Sequence, residues 1–394
     1  MTGWTHYVNA ANYGYTRWYH WVGGFWLIFI GWIIAQAILT APILPLIKSA
    51  DPELASQINE ATLAMFSNID QAALAIFGLG FLSSGFLATG FWIGSRVVED
   101  NKTTNILSII ALIFTLIAAF CGYKLLPTLS DPESTRLMTQ GMGLNPLIYI
   151  SFLITFPGTL LFVYLVQKFW HSRTITHLHT VFERYNWRRT FFAIGVFWAV
   201  AASFAAIGHF SGISSLKFQF DPSRFFGFAI ASLIFIPLQS ATEEIIVRGY
   251  MNQGLGQYIK SPWVVFFITS LFFMALHLGN PEATSSADKG TYMHILTVSS
   301  YFLFGYLLCV LVYFEGGLET AIGVHVANNL FAAVFINYEG SVLPTPSVYI
   351  VELNPSYDLP VSMIMLSIVT YILVRSRPET LKAALTQSPV QRMA

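Results

Sequence analysis

The feature that most constrains this chain is a series of long apolar stretches without a single charged residue. The charge-free windows are 18–47, 71–95, 103–123, 137–167, 190–216, 225–242, 261–281, 290–314, 320–338 and 359–374. A helix that spans a bilayer needs ~20 mostly apolar residues. All but the last window reach or nearly reach that length. We therefore predict an all-α, polytopic transmembrane bundle of about ten helices, with eight or nine as alternatives.

The composition agrees with a membrane protein and argues against a nucleic-acid partner. Only 10% of the residues are charged and 55% are hydrophobic, whereas soluble domains carry about 25% charged residues. The formal net charge is zero, so we expect no nucleic-acid binding. Cys121 and Cys309 both lie in apolar runs and are interpreted as packing residues. The lipid bilayer is the first expected partner.

Basic residues in the short loops predict the orientation. Lysine and arginine are enriched in cytoplasmic loops. With ten helices and a cytoplasmic N-terminus, most of the lysines and arginines fall in loops assigned to the inside. We therefore predict an integral, multi-pass membrane protein with both termini in the cytoplasm.

A basic, aromatic loop at residues 171–189 divides the chain. Before it lies an N-terminal four-helix membrane region, 1–170, of unknown role. After it lie a six-helix region, 190–377, and a cytoplasmic tail, 378–394. We expect the loop to lie on anionic lipid headgroups; a docking element for a partner is the alternative.

The first unusual polar group in the second half is the segment TEEIIVRG. Ionisable residues within spanning helices cost on the order of 2.5–3.5 kcal/mol each and mark functional sites. Residues four apart share a helix face, so Arg248 is expected to pair with Glu244. Glu243 is then free to point into the bundle. Alternatively, all three residues close the inner end of a helix.

Two histidines form the second and third groups. His277 follows Phe273 by four residues, and His325 precedes Asn329 by four, so each pair shares a helix face. Each histidine alone is more typical of packing or of an inter-helix hydrogen bond. On the predicted topology, Glu243 and both histidines lie at similar depth, from the middle to the inner side. A carboxylate, two imidazoles and an amide around one pocket supply the groups needed for hydrolysis.

These three motifs resemble those of a known family. EEIIVR matches EExxxR, FMALH matches FxxxH, and HVANN matches HxxxN, in that order along the chain. The combination is similar to the CPBP family of CAAX proteases and bacteriocin-processing proteins, which includes the type II prenyl-protein endopeptidases. The resemblance covers about residues 225–337 and leaves the N-terminal region unexplained.

The resemblance implies a role for each motif residue. Glu243 would activate the attacking water, with Glu244 and Arg248 supporting that carboxylate. His277 would hold the water or the ligand beside Phe273. His325 and Asn329 would polarise the scissile carbonyl and stabilise the oxyanion.

The family resemblance leaves the catalytic type open. One possibility is a metalloprotease in which Glu243, His277 and His325 bind a divalent metal such as zinc, with one open position. The other is a glutamic-type protease in which Glu243 activates water directly and no metal is required. We favour the second, because Glu243 is poorly suited to act as both ligand and free base.

The function predicted from the sequence is intramembrane proteolysis. The enzyme would hydrolyse a peptide bond near the cytoplasmic side of a bacterial cell membrane. Its substrate would be a membrane protein or a peptide, with or without a prenyl group. Two alternatives remain: a non-enzymatic scaffold or immunity-type protein of the same fold, and a proton-coupled carrier, since buried glutamate and histidine also form proton relays.

Overall fold

The protein is predominantly helical, as predicted. The computed structural model describes residues 3–68, 132–352 and 355–378, together with scattered positions between 79 and 121. It is 78% helical. The predicted windows 71–95 and 103–123 lie largely outside the described residues, and so does nearly all of the predicted tail 378–394. The all-α fold class is confirmed.

The described residues contain sixteen α-helices and three short strands, together with one short 3-10 helix and three π-helical turns. The helices are α1 Gly3–Asn9, α2 Trp18–Leu39, α3 Ile43–Ala50, α4 Pro52–Asn68, α5 Pro132–Met142, α6 Pro146–Leu153, α7 Thr155–Leu165, α8 Thr176–His179, α9 Trp187–Phe210, α10 Pro222–Glu244, α11 Asn252–Gly256, α12 Pro262–Leu276, α13 Pro281–Asp288, α14 Thr291–Glu315, α15 Glu319–Leu330 and α16 Pro355–Arg375. The strands are β1 Lys217–Phe218, β2 Ile336–Tyr338 and β3 Tyr349–Val351.

The described residues contain six helical segments that are long and apolar enough to cross a membrane. They are His20–Ala50, Pro146–Trp170, Trp187–Phe210, Pro222–Gly256, Thr291–Glu315 and Ser356–Arg375. A seventh is counted if α12 and α13 are taken as one broken span, bent by 80°. The chain is thus a multi-pass membrane protein, and six of the predicted windows correspond to these segments.

The window 320–338 is not one long helix. Helix α15 ends at Leu330, continues as a π-helical turn to Phe335, and is followed by strand β2. Nearly every residue of α15 is buried against protein rather than exposed for lipid. Gly323 permits this, because a Cβ there would lie 2.6 Å from the carbonyl oxygen of Thr190 on α9. An apolar window therefore marks a buried central helix as readily as a spanning one.

The window 261–281 is broken near its end. Helix α12 stops at Leu276, and α13 begins at Pro281, at the 80° bend. Proline has no backbone N–H and disfavours helical geometry in the residue before it, here Asn280. His277 consequently caps the C-terminal end of α12 instead of lying within a continuous helix.

A small sheet closes the end of the bundle opposite loop 171–189. Strand β3 lies in the centre, antiparallel to β1 and parallel to β2. The strands follow α9 and α15 and precede α16, so the sheet connects the ends of these three helices. This arrangement fixes the far end of the helix that carries His325.

The basic loop 171–189 packs into the protein, which overturns the expected headgroup contact for two of its arginines. Arg173 is buried and donates to the backbone oxygen of Ala10 and to Gln253, both at 2.9 Å. Arg189 is buried and pairs with Glu315 at 2.5 Å. Arg184 and Arg188 remain exposed. The ion pair of Arg189 with Glu315 and the hydrogen bonds of Arg173 hold the loop against the bundle.

A buried histidine in this loop predicts how stability depends on pH. His171 donates from Nδ1 to the carbonyl oxygen of Tyr15, and its Nε2 forms a hydrogen bond with the hydroxyl of Tyr250, both at 2.8 Å. Burial lowers the pKa of His171 to about 4. Between pH 4 and 6.5 the unfolded chain binds a proton that the folded chain does not. The contribution of His171 to the free energy of unfolding is therefore fully present above pH 6.5. It falls on acidification, by roughly 2 kcal/mol at pH 5.

Thermal unfolding in detergent between pH 4.5 and 7.5 measures this effect. The wild-type midpoint should fall on acidification, whereas His171→Gln should start lower at pH 7.5 and change less with pH. The exposed His209 provides the matched control, and His209→Gln should reproduce the wild-type profile. Equal slopes for wild type and His171→Gln would rule out this titration.

Candidate active site

The two glutamates of the first motif lie where the α-helix α10 passes into a π-helical turn. The side chain of Asp221 caps the start of α10 by accepting from the backbone N–H of Ser223 at 3.0 Å, and proline follows at the first helical position. The helix reaches Glu244 and then continues as a π-helical turn, Ile245–Met251. Such wide turns are frequent at functional sites. The glutamates therefore sit in the middle of a long helical segment inside the bundle.

Glu244 and Arg248 form a fully buried ion pair, as the spacing predicted. Arg248 Nη1 lies 3.0 Å from Glu244 Oε1, and both side chains are 0% exposed. The guanidinium lies 4.1 Å from the ring centre of Phe273. Gly305 on α14 leaves room for it, since a Cβ there would lie 2.8 Å from Arg248 Nη2. The carboxylate of Glu244 and the ring of Phe273 both interact with the guanidinium, and these interactions offset the cost of burying its charge.

His325 is oriented by the same buried carboxylate. Its Nδ1 lies 2.7 Å from Glu244 Oε1. An ionised carboxylate can only accept, so Nδ1 carries the hydrogen. Nε2 then faces the other glutamate, 3.7 Å from Glu243 Oε2. The arrangement resembles the carboxylate–imidazole pairs that fix the tautomer and ring direction of functional histidines.

His277 is oriented by the backbone of its own helix. Its Nδ1 donates to the carbonyl oxygen of Phe273 at 2.7 Å, so Nε2 is the free ring nitrogen. Nε2 lies 3.9 Å from Glu243 Oε2. The imidazole packs between two aromatic rings, with centroid distances of 4.3 Å to Phe273 and 4.7 Å to Tyr301. The end of α12 thus holds the ring in one direction.

Glu243 has one occupied oxygen and one free oxygen. Gln239, one turn earlier on α10, donates from Nε2 to Oε1 at 2.5 Å. Oε2 is buried and has no hydrogen-bond partner among the described residues. Its separations of 3.7 and 3.9 Å from the two imidazoles exceed a direct hydrogen bond and leave space for a bridging water.

Asn329 joins the site through Gln239. Its Nδ2 donates to Gln239 Oε1 at 3.0 Å and to Ser240 Oγ at 3.3 Å, so both amide hydrogens have partners. Sequence reasoning missed Gln239 and Ser240. The available signal was Gln239 itself, a polar residue within an apolar window and four residues before Glu243, hence on the same face.

All seven predicted site residues come together at one cavity or directly behind it. The cavity has a volume of about 680 Å³, and its lining includes Glu243, His277, His325, Asn329 and Phe273. The buried Glu244–Arg248 pair lies behind it. One wall comes from the N-terminal region, whose α2 contributes Phe25, Phe29, Trp32 and Gln36. The N-terminal region, whose role the sequence left open, therefore helps to shape the cavity.

The three predicted metal ligands do not form a ready metal site. Zinc with ligand distances of about 2.0–2.2 Å holds its ligand atoms roughly 3.3 Å apart, closer than the distances from Glu243 Oε2 to His277 and His325. In the part of the chain that the structure describes, no group of three or more His, Cys, Asp or Glu is arranged to hold a metal ion.

Comparison with known proteins places this site within a family domain. Residues 222–331 match the family model of the Rce1-like type II CAAX prenyl endopeptidases. The Bacillus subtilis strain 168 protein YyaK, described as uncharacterized, is 27% identical over 262 residues, which cover 64% of this chain and 80% of YyaK. No solved structure matches. Residues 222–331 contain all three motifs, and their match to the Rce1-like model supports the resemblance of those motifs to the CPBP family.

Proposed function

We propose that this protein is an intramembrane endopeptidase of glutamic type. The observation that carries the proposal is the convergence of three atoms on the cavity. The free carboxylate oxygen of Glu243 faces the Nε2 atoms of His325 and His277, at 3.7 and 3.9 Å. A water between them can be deprotonated by Glu243, which is the role of a general base in hydrolysis.

The proposed reaction balances without a cofactor. The water donates one hydrogen bond to Glu243 Oε2 and the other to His277 Nε2. Its oxygen attacks the scissile carbonyl carbon while its proton passes to Glu243. The C–N bond then breaks, and Glu243 returns the proton to the departing amine nitrogen. One peptide bond and one water thus give a carboxyl and an amine product.

The oxyanion needs donors that face the carbonyl oxygen. We assign this role to His325, whose Nε2 donates when the ring is protonated, and to Asn329. One amide hydrogen of Asn329 turns from Ser240 or Gln239 to the substrate. Hydrogen-bond donors that face the carbonyl oxygen stabilise the charge that develops on it and so lower the barrier.

The buried Glu244–Arg248 pair acts behind these groups. It fixes His325 through the 2.7 Å contact to Nδ1 and keeps the charge of Glu244 compensated. Gln239 orients Glu243 from the other side by occupying Oε1. Both contacts hold the reacting groups in place, as efficient catalysis requires.

The substrate we propose is a membrane protein or a peptide, with or without a prenyl group, cleaved near the cytoplasmic side of a bacterial membrane. An intramembrane cavity with aromatic walls suits an extended apolar segment. The positive-inside bias of the loops supports cytoplasmic termini.

A proteomic comparison of membranes tests the proposal. Cells carrying the wild-type chain and cells carrying Glu243→Gln are compared for new peptide termini. We expect at least one membrane protein or peptide to be cleaved only with the wild type. A scaffold would act equally well with either chain, and proton flux lost with Glu243→Gln without any cleavage would indicate a carrier.

A divalent metal held by Glu243, His277 and His325 remains the alternative, and metal removal tests it. Our proposal predicts that a strong chelator changes the rate of cleavage by the purified protein less than about twofold, because general-base catalysis needs no metal. The measurement is cleavage rate before and after dialysis against chelator. Loss of activity that zinc restores would contradict the proposal.

A further inference from the structure

We propose that Glu282 forms a subsite for a lysine or arginine side chain of the substrate, within the cavity that holds Glu243. The inference rests on the proposed function, since it concerns what the same cavity accepts. Nothing in the three sequence motifs points to this residue. It lies on the short helix α13, immediately after the bend at Asn280 and Pro281.

Glu282 is a buried carboxylate held firmly by one of its two oxygens. The residue is 9% exposed and lines the cavity. Its Oε1 accepts from the hydroxyl of Tyr301 at 2.6 Å, from the hydroxyl of Tyr338 at 3.2 Å and from Asn280 Nδ2 at 3.4 Å. Donors from α14, β2 and the bend therefore fix its position.

The other oxygen is unsatisfied. Oε2 of Glu282 is buried and has no hydrogen-bond partner among the described residues. A buried carboxylate oxygen without a donor carries a desolvation cost that a ligand donor removes. Since Oε1 already accepts three hydrogen bonds, a donor from a ligand binds at Oε2. A charged donor is favoured, because charge-assisted hydrogen bonds are stronger than neutral ones.

The charge of the cavity favours the same class of ligand. Three carboxylates line it, those of Glu243, Glu282 and Asp358, and no lysine or arginine occurs among the described residues that line it. A cation brought in by the substrate meets attraction there, whereas a carboxylate meets repulsion in a poorly solvated space. Such a cavity selects against a substrate that places a free carboxylate beside the scissile bond.

The subsite is coupled to the catalytic group through one aromatic side chain. Tyr301 donates to Glu282 and stacks on the imidazole of His277, with ring centroids 4.7 Å apart. A basic side chain at Glu282 therefore lies near the scissile bond in the bound peptide. The alternative is that Glu282 has only a structural role and binds no cation, and the experiment distinguishes the two.

A binding experiment tests the subsite without relying on catalysis. The Glu243→Gln protein in detergent is mixed with decanoyl-lysine amide, decanoyl-norleucine amide or decanoyl-acetyllysine amide, and its thermal midpoint is measured. The lysine probe should bind at least about tenfold more tightly than both neutral probes. In Glu243→Gln/Glu282→Gln the three probes should bind equally. The control variant is Asp288→Asn, at an exposed position on α13. It should still bind the lysine probe more tightly than the neutral probes.

Equal binding of the lysine and acetyllysine probes to a chain with intact Glu282 would overturn the inference, even if Glu282→Gln fails to fold. A lysine preference that survives in a folded Glu282→Gln chain would overturn it as well.

A cleavage experiment then separates this inference from the proposed function. Wild-type protein in liposomes is given quenched fluorescent peptides that differ only in lysine, norleucine or glutamate at one position. We expect at least about tenfold faster cleavage with lysine at one position, lost in Glu282→Gln. No cleavage of any peptide, with lysine-selective binding intact, would count against the protease and leave the subsite standing. Cleavage without preference for lysine would count against the subsite.

Discussion

Glu243→Gln should lower the rate of peptide hydrolysis by about 10²–10⁴-fold, the usual contribution of a general base. The amide cannot take a proton from water, yet it has nearly the shape of the carboxylate. The contact with Gln239 can persist through the amide oxygen, so the fold should be retained. The measurement is the initial rate of cleavage by purified protein in liposomes, on the substrate identified by the proteomic comparison.

Glu53→Gln is the matched control for this change, because Glu53 is exposed on α4, outside the cavity. It should cleave at the wild-type rate. A Glu243→Gln protein that unfolds at the wild-type temperature and cleaves within tenfold of the wild-type rate would remove Glu243 from the role of base.

Arg248→Met should lower the free energy of unfolding by about 3–5 kcal/mol, because it leaves the charge of Glu244 buried without its partner. Hydrolysis should also decline, since Glu244 holds the Nδ1 of His325 at 2.7 Å. Unfolding by titration with a denaturing detergent measures the first effect, and the cleavage rate at a temperature where the variant is folded measures the second.

The double variant Glu244→Gln/Arg248→Met separates charge burial from lost packing. Removing both charges should recover much of the stability, because the uncompensated carboxylate is gone. Arg184→Met, at an exposed position in loop 171–189, should be nearly neutral. If Arg248→Met and Arg184→Met had equal effects, the ion pair would not hold the site together.

The fold was predictable to the extent that hydrophobicity determines it. Charge-free windows such as 190–216 and 290–314 became the spanning helices α9 and α14, because lipid and protein interior both favour apolar side chains. The same reasoning could not separate a spanning helix from α15, which neighbouring helices bury on nearly all sides. It also did not predict the 80° bend before Pro281. The proline indicated a possible helix break there, but not the angle.

The candidate site was predictable because it places ionisable residues where their burial is costly. Ionisable side chains in apolar helices are retained for function, and spacing alone paired Arg248 with Glu244. The tertiary contacts of other polar residues could not be predicted in this way. Gln239 and Glu282 each depend on partners from distant segments, Asn329 for the first and Tyr301 and Tyr338 for the second.

The loop 171–189 shows why charge alone misleads. Its arginines suggested lipid headgroups, but Arg173 and Arg189 turn inward because Gln253 and Glu315 offer partners in the bundle. The sequence contains both partners, yet nothing local links them to the loop. Their identification required the packed structure.

Cleavage in water enriched in oxygen-18 tests the central claim most directly, that Glu243 activates a water for attack on a peptide bond. Purified protein and its substrate are incubated in liposomes, and the new termini are analysed by mass spectrometry. Our account predicts one oxygen-18 atom in the new C-terminal carboxyl with the wild-type chain, and only trace product with folded Glu243→Gln. Product formed by Glu243→Gln at the wild-type rate, or a new terminus without solvent oxygen, would contradict it.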